Sequence, residues 1–158
     1  MGVTDSRVAG RITEGIVMTD KMSIAIAAGG TAGHVNPALA LADELASRGH
    51  DVRFFGETRR LEGKLVPEAG FDFFPVEVTG FDRARPWTLI TALVHLSREE
   101  RRLVRTFKQN PALKPDVAIG FGAYVELPLV RAAAKLGIPV VLHEQNSVPG
   151  LANKQSAK

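Results

Sequence analysis

The chain has 158 residues, 45% hydrophobic and 23% charged, which suits one packed domain and is too apolar for a disordered chain. It has no cysteine, excluding thiol catalysis, disulfides and thiolate metal sites, and no apolar run nears the roughly 20 residues of a membrane-spanning helix. The net charge of +3 is too slight for a dedicated nucleic-acid binder and is local: eight Lys and Arg against three acidic residues fall between positions 81 and 115.

Residues 1–21 show no sustained hydrophobic period and no continuous apolar core of a signal peptide, so they read as a disordered extension ahead of one domain over 22–158. Ser23 to Ala28 is a short apolar run ending in Gly29-Gly30, the pattern of a buried strand. Asn36-Pro37 then supplies an N-cap and a proline at the first helical position, and Gly49 closes the predicted helix. The unit recurs. Val52 to Phe55 reads as a strand, Leu61 to Ala69 as a helix stopped by Gly70, and Phe73 to Val78 as a third strand.

A long helical pattern runs from about Trp87 to Lys108. Its Leu89, Leu93, Leu96, Leu103 and Phe107 form a face expected to pack on the sheet, interrupted at Glu100. Asp116 to Ile119, Pro128 to Leu136 and Pro139 to Leu142 complete the alternation as strand, helix stopped by Gly137, and strand. Strands apolar on both faces alternating with helices predict an α/β fold. The expected form is a doubly wound, mostly parallel Rossmann-like sheet of order 3-2-1-4-5.

In such sheets ligands bind at the carboxyl ends of the strands where the winding reverses, here between strands one and four. Three segments converge there: Gly29-Gly30-Thr31-Ala32-Gly33-His34, Gly120-Phe121-Gly122-Ala123-Tyr124, and His143-Glu144-Gln145-Asn146. Glycines between a strand and a helix let the backbone approach an anion, and two such loops side by side suit a diphosphate. Neither the dinucleotide fingerprint nor the P-loop spacing is met. His34 is a general base or a packing residue, and Glu144 holds a histidine or binds a hydroxyl. Asn146, able to donate and accept, suits sugar hydroxyls or an acetamido group. No histidine shows ligand spacing with carboxylates, so no metal is expected.

On the long helix a second stripe runs Trp87, Ile90, Val94 and then Arg98, Arg101, Arg105. It fits the headgroup zone of an anionic membrane, or else a wide core face followed by a solvated basic end. Without interleaved aromatic residues, nucleic acid is the weakest of its readings.

Together these residues resemble the MurG family, the lipid-linked N-acetylglucosaminyltransferases of peptidoglycan synthesis. The resemblance runs from about Ser23 to Lys158 and rests on Gly-Gly-Thr-Ala-Gly-His34 with Asn36-Pro37, on Gly120 to Tyr124, on Gly137 to Asn146 and on Pro149 to Lys154. It implies the acceptor-side domain of a GT-B enzyme that transfers GlcNAc from UDP-GlcNAc to lipid I with inversion, at the cytoplasmic face of the cell membrane and without a cofactor. By that resemblance His34 matches the base, and Thr31, Ala32, Gly33 and Asn146 match donor contacts. Gly29, Gly30, Gly120, Gly122, Ala123 and Tyr124 match the acceptor-diphosphate loops, and the Trp87 to Arg105 stripe matches a membrane patch. Without the donor-binding domain the chain alone is expected to be inactive. The rival readings are a non-catalytic phosphate- or membrane-docking module and a GT-B enzyme with another acceptor. Ala32 and Ala123 stand where the family usually has glycine, so a positive φ at either would strain the loop. Glu126 would oppose a diphosphate unless its carboxylate turns away.

Overall fold

A computed structural model describes residues 21–80, 82 and 84–144; residues 1–20 of the expected N-terminal extension (1–21) and Asn146 lie outside them. The elements are β1 (Ser23–Ala27), α1 (Ala32–Ser47), β2 (Asp51–Gly56), α2 (Leu61–Glu68), β3 (Asp72–Pro75) and α3 (Trp87–Gln109). A 3-10 turn (Pro111–Leu113), β4 (Val117–Gly120), α4 (Glu126–Lys135) and β5 (Val140–Leu142) follow. The strands form one parallel sheet in the order β3-β2-β1-β4-β5, as the sequence pattern predicts.

The alternation of β1 decides what covers each face. Ile24, Ile26 and Ala28 point to a layer with Ala38 and Ala42 of α1 and Val66 of α2. Ala25 and Ala27 point the other way, toward Leu103 and Phe107 of α3 and Leu129, Ala132 and Ala133 of α4. Small residues on that second face leave room for aromatic packing: Phe55 stacks on Phe74 at 5.2 Å and meets Phe107 edge-on at 6.0 Å.

The predicted helix stops hold. At Gly49, Gly70 and Gly137, all at positive φ, the glycine N–H and the next N–H bond back to carbonyls of the last turn, which closes α1, α2 and α4. Two helix starts differ from expectation. α1 begins at Ala32 with Thr31 as N-cap, so Pro37 lies inside the helix. One turn precedes Pro37, and the carbonyl that loses its partner there is that of Gly33. That turn buries Val35 completely, which an N-cap at Asn36 would leave in the loop. α4 likewise starts at Glu126, placing Pro128 at a first-turn position whose N–H has no helical partner in any case.

The face of α3 is a larger correction. Leu96, Leu103 and Phe107 are buried, but Leu89 and Leu93 are half exposed. They line an open pocket of about 440 Å³ with Val78, Thr79, Tyr124 and Leu127 instead of packing on strands. β3 ends at Pro75, and the first turns of α3 overhang residues that follow the strands, Val78 and Thr79 after β3 and Tyr124 and Leu127 after β4. The interruption at Glu100 has a cause: its carboxylate is buried and accepts from Lys135 Nζ at 2.9 Å and Arg131 Nε at 3.3 Å, tying α3 to α4.

Candidate functional site at the carboxyl edge of the sheet

The three predicted segments leave the sheet at one level. Ala27 pairs with Gly120, the Phe121 N–H donates to Ala27 O at 2.9 Å, and the His143 N–H donates to Gly120 O at 2.7 Å. The His143 ring lies 4.7 Å from that of Phe121, and half-buried Glu144 follows at the same edge. Between the two glycine loops lies a pocket of about 430 Å³ lined by Gly30, Glu57, Arg60, Ala123 and Tyr124 among others.

The first loop carries a positive φ at Gly30 and then enters α1. Thr31, Ala32 and Gly33 are exposed, and His34 is half buried in the first helical turn rather than ahead of it. The N-cap hydroxyl of Thr31 does not cap the helix; its Oγ1 lies 2.7 Å from His34 Nδ1. That contact engages Nδ1 and leaves Nε2 as the other ring nitrogen, able to donate or accept according to the tautomer.

A buried carboxylate lies beneath each loop, and the one under the first, Glu62, carries no signal of its own in the sequence pattern. Glu62, 1% exposed in the first turn of α2, accepts from the Gly30 N–H through Oε2 at 3.1 Å and from the Glu57 N–H through Oε1 at 3.2 Å. Glu126, fully buried at the start of α4, accepts from the Gly122 N–H at 2.7 Å. The glycines make space for these side chains. A Cβ on Gly29 would lie 2.8 Å from Glu62 Cδ, one on Gly56 2.7 Å from Glu62 Cγ, and one on Gly120 3.0 Å from Glu126 Cδ. The N–H groups of Gly30 and Gly122 therefore point into the protein, toward carboxylates. Neither N–H is turned toward the crevice.

The departures noted in the sequence resolve in opposite ways. Ala32 is the first helical residue and carries no strain. Ala123 sits at φ 68, the one non-glycine residue at positive φ among those described. The Glu126 carboxylate turns inward, away from the crevice. Glu62, Arg60 and Glu57 were missed because a charged first turn ordinarily reads as a solvated helix start. The available signal was glycine at 29 and 56, where a Cβ would meet the Glu62 side chain and no positive φ demands glycine.

The stripe on α3 stands in solvent and is not a core face: Trp87, Ile90 and Val94 are 65%, 67% and 61% exposed, and Arg98, Arg101 and Arg105 are exposed beside them. Among the described residues none of those three arginines is in an ion pair. No described helix is long and apolar enough to cross a membrane.

Residues 24–158 match the glycosyltransferase family 28 N-terminal domain. The chain belongs to that family. Among curated relatives, the UDP-N-acetylglucosamine–N-acetylmuramyl-(pentapeptide) pyrophosphoryl-undecaprenol N-acetylglucosamine transferase of Halalkalibacterium halodurans is 44% identical over 135 residues, 84% of this chain and 36% of the relative. The transferase of the same name from Halothermothrix orenii is 43% identical over 136 residues, covering 84% and 35%. The crystal structure of Acinetobacter baumannii MurG matches with a TM-score of 0.73 and 34% identity, over 86% of this chain and 39% of that one. A kitacinnamycin glycosyltransferase, at 21% identity and a TM-score of 0.61, shares the fold. This family 28 domain thus spans about a third of the length of the curated relatives it matches.

Proposed function

We propose that this domain is the acceptor side of a glycosyltransferase of peptidoglycan synthesis, which moves GlcNAc from UDP-GlcNAc to lipid I and inverts the anomeric carbon. The observation that carries the proposal is the crevice itself. Two loops in register at the switch point flank a pocket, and His34 stands at the helix start beside them. In this reading His34 Nε2 takes the proton of the attacking C4 hydroxyl while its Nδ1–H donates to Thr31 Oγ1, the tautomer that leaves Nε2 basic. Thr31 then orients the base, and Ala32 and Gly33 stand exposed beside it for the donor. Asn146, proposed as a donor contact, lies outside the described residues.

The overhang of α3 supplies the membrane side. Trp87, Ile90 and Val94 present apolar surface next to exposed arginines, the composition that dips into an interface and pairs with anionic headgroups. The same overhang borders Tyr124 of the second loop, so a lipid-linked acceptor anchored beside this helix lies next to the crevice. The enzyme is then a peripheral protein of the cytoplasmic membrane face.

The test is sedimentation of the purified chain with anionic vesicles, with and without lipid I. Lipid I is expected to raise the bound fraction at fixed vesicle concentration, and high salt to lower it. An equal bound fraction with and without lipid I overturns the acceptor assignment. Vesicle binding unchanged in a Trp87→Ala, Ile90→Ala double variant removes the membrane role of the stripe.

A further inference from the structure

We propose that Arg60 is the cation that grips a diphosphate in the crevice. The proposal rests on the acceptor reading above and extends it to a residue outside the glycine loops. Two inward N–H groups that would otherwise serve an anion, those of Gly30 and Gly122, already serve buried carboxylates. A diphosphate entering above Glu62 and Glu126 meets negative charge below and needs positive charge beside it. Among the described residues lining the pocket between the loops, Arg60 is the one cation.

Its geometry suits the task. The Arg60 side chain is 59% exposed and donates through Nε to Glu57 Oε2 at 2.8 Å. Among the described residues its two terminal amino groups have no partner, so the outer edge of the fork is open to phosphate oxygens. The Glu57 bond holds the guanidinium in place before the ligand arrives, lowering the ordering cost of binding. Glu62 fixes the same loop against the first glycine loop, because one carboxylate takes both the Glu57 and the Gly30 N–H.

Both the lipid acceptor and the nucleotide-sugar donor carry a diphosphate, so the experiment uses one probe for each. Calorimetric titration of the 158-residue chain with farnesyl diphosphate and, separately, UDP-GlcNAc would compare wild type with R60A, R60K and R48A. Arg48 pairs with Glu44 at the far end of α1 and serves as the charge control. For farnesyl diphosphate, R60A is expected to weaken binding about 10-fold or more, R60K about 3-fold, and R48A less than about 2-fold. R60K keeps the charge and loses the fork, so an intermediate value identifies paired hydrogen bonding rather than bulk charge. Retained amide signals of Gly30 and Gly122 would show that each variant is folded.

Farnesyl diphosphate binding by R60A equal to wild type overturns the assignment while leaving the acceptor reading intact. A loss confined to UDP-GlcNAc overturns it too and moves Arg60 to the donor. Absence of farnesyl diphosphate binding by the wild-type chain removes the acceptor reading and the Arg60 assignment together, and the wild-type titration alone distinguishes that case.

Discussion

The two glycine loops look alike in sequence and are supported in different ways. In the second, the carboxylate is local: Glu126 lies four residues beyond Gly122 and opens the helix that the loop leads into. In the first it comes from afar, since Glu62 is 32 residues from Gly30 and belongs to another helix. Glu62 also holds the N–H of Glu57, so it joins two loops, while Glu126 accepts from the Gly122 N–H of the loop just ahead of its helix. The first loop also puts glycine at its left-handed position, whereas the second puts alanine at one of two. Similar glycine patterns thus conceal a tertiary strut in one loop and a local strut with a strained residue in the other.

The largest effect expected from this contrast is that of E62A. It leaves two inward N–H groups without acceptors, each worth about 1–3 kcal/mol when buried, so a loss of about 3 kcal/mol is expected in denaturant unfolding. Amide exchange should accelerate at both Gly30 and Glu57. E126A is expected to cost about 2 kcal/mol and to speed exchange in the second loop while sparing the first. Exchange changes confined to one loop in E62A would break the distinction between the two struts. E62Q sharpens it. Glu62 uses both carboxylate oxygens and glutamine offers one, so one N–H would face an amide donor and E62Q should retain only part of the wild-type stability. A loss of about 2 kcal/mol is expected, and full rescue would show that one of the two bonds is dispensable.

Much of this edge was legible in the sequence, and the boundary of legibility is physical. Strand order follows from apolar runs and crossover handedness, and helix ends follow from Gly49, Gly70 and Gly137, because both signals act over a few residues. Helix starts were less legible: Asn36-Pro37 carries a start signal that the burial of Val35 overrides. Leu89 and Leu93 have the spacing of a core face, but spacing cannot show that the sheet ends before it reaches them. Topology brings the two glycine loops together; Ala123 and Tyr124 line the pocket between them, and Thr31 and His34 stand at the start of α1 just after Gly30. Glu62 and Arg60 were hidden because their roles depend on loops that come together only in the fold.

The smallest expected effects form a mirrored pair. G30A places a methyl group at φ +86 where no heavy atom lies within 4 Å, so its cost is backbone strain alone, about 1 kcal/mol. A123G does the reverse at φ 68. Relief of the left-handed alanine is worth about 1–2 kcal/mol, and the greater freedom of glycine in the unfolded chain takes back about 0.5–1, leaving a gain of about 0.5 kcal/mol. Thermal unfolding should then order the variants as A123G, wild type and G30A, with spacings of a few degrees. A lower melting temperature for A123G would mean that the Ala123 methyl stabilises the loop by more than its φ costs. The second loop would then rest on packing at Ala123 as well as on Glu126, and its alanine would count as part of the support rather than a strain the support must overcome.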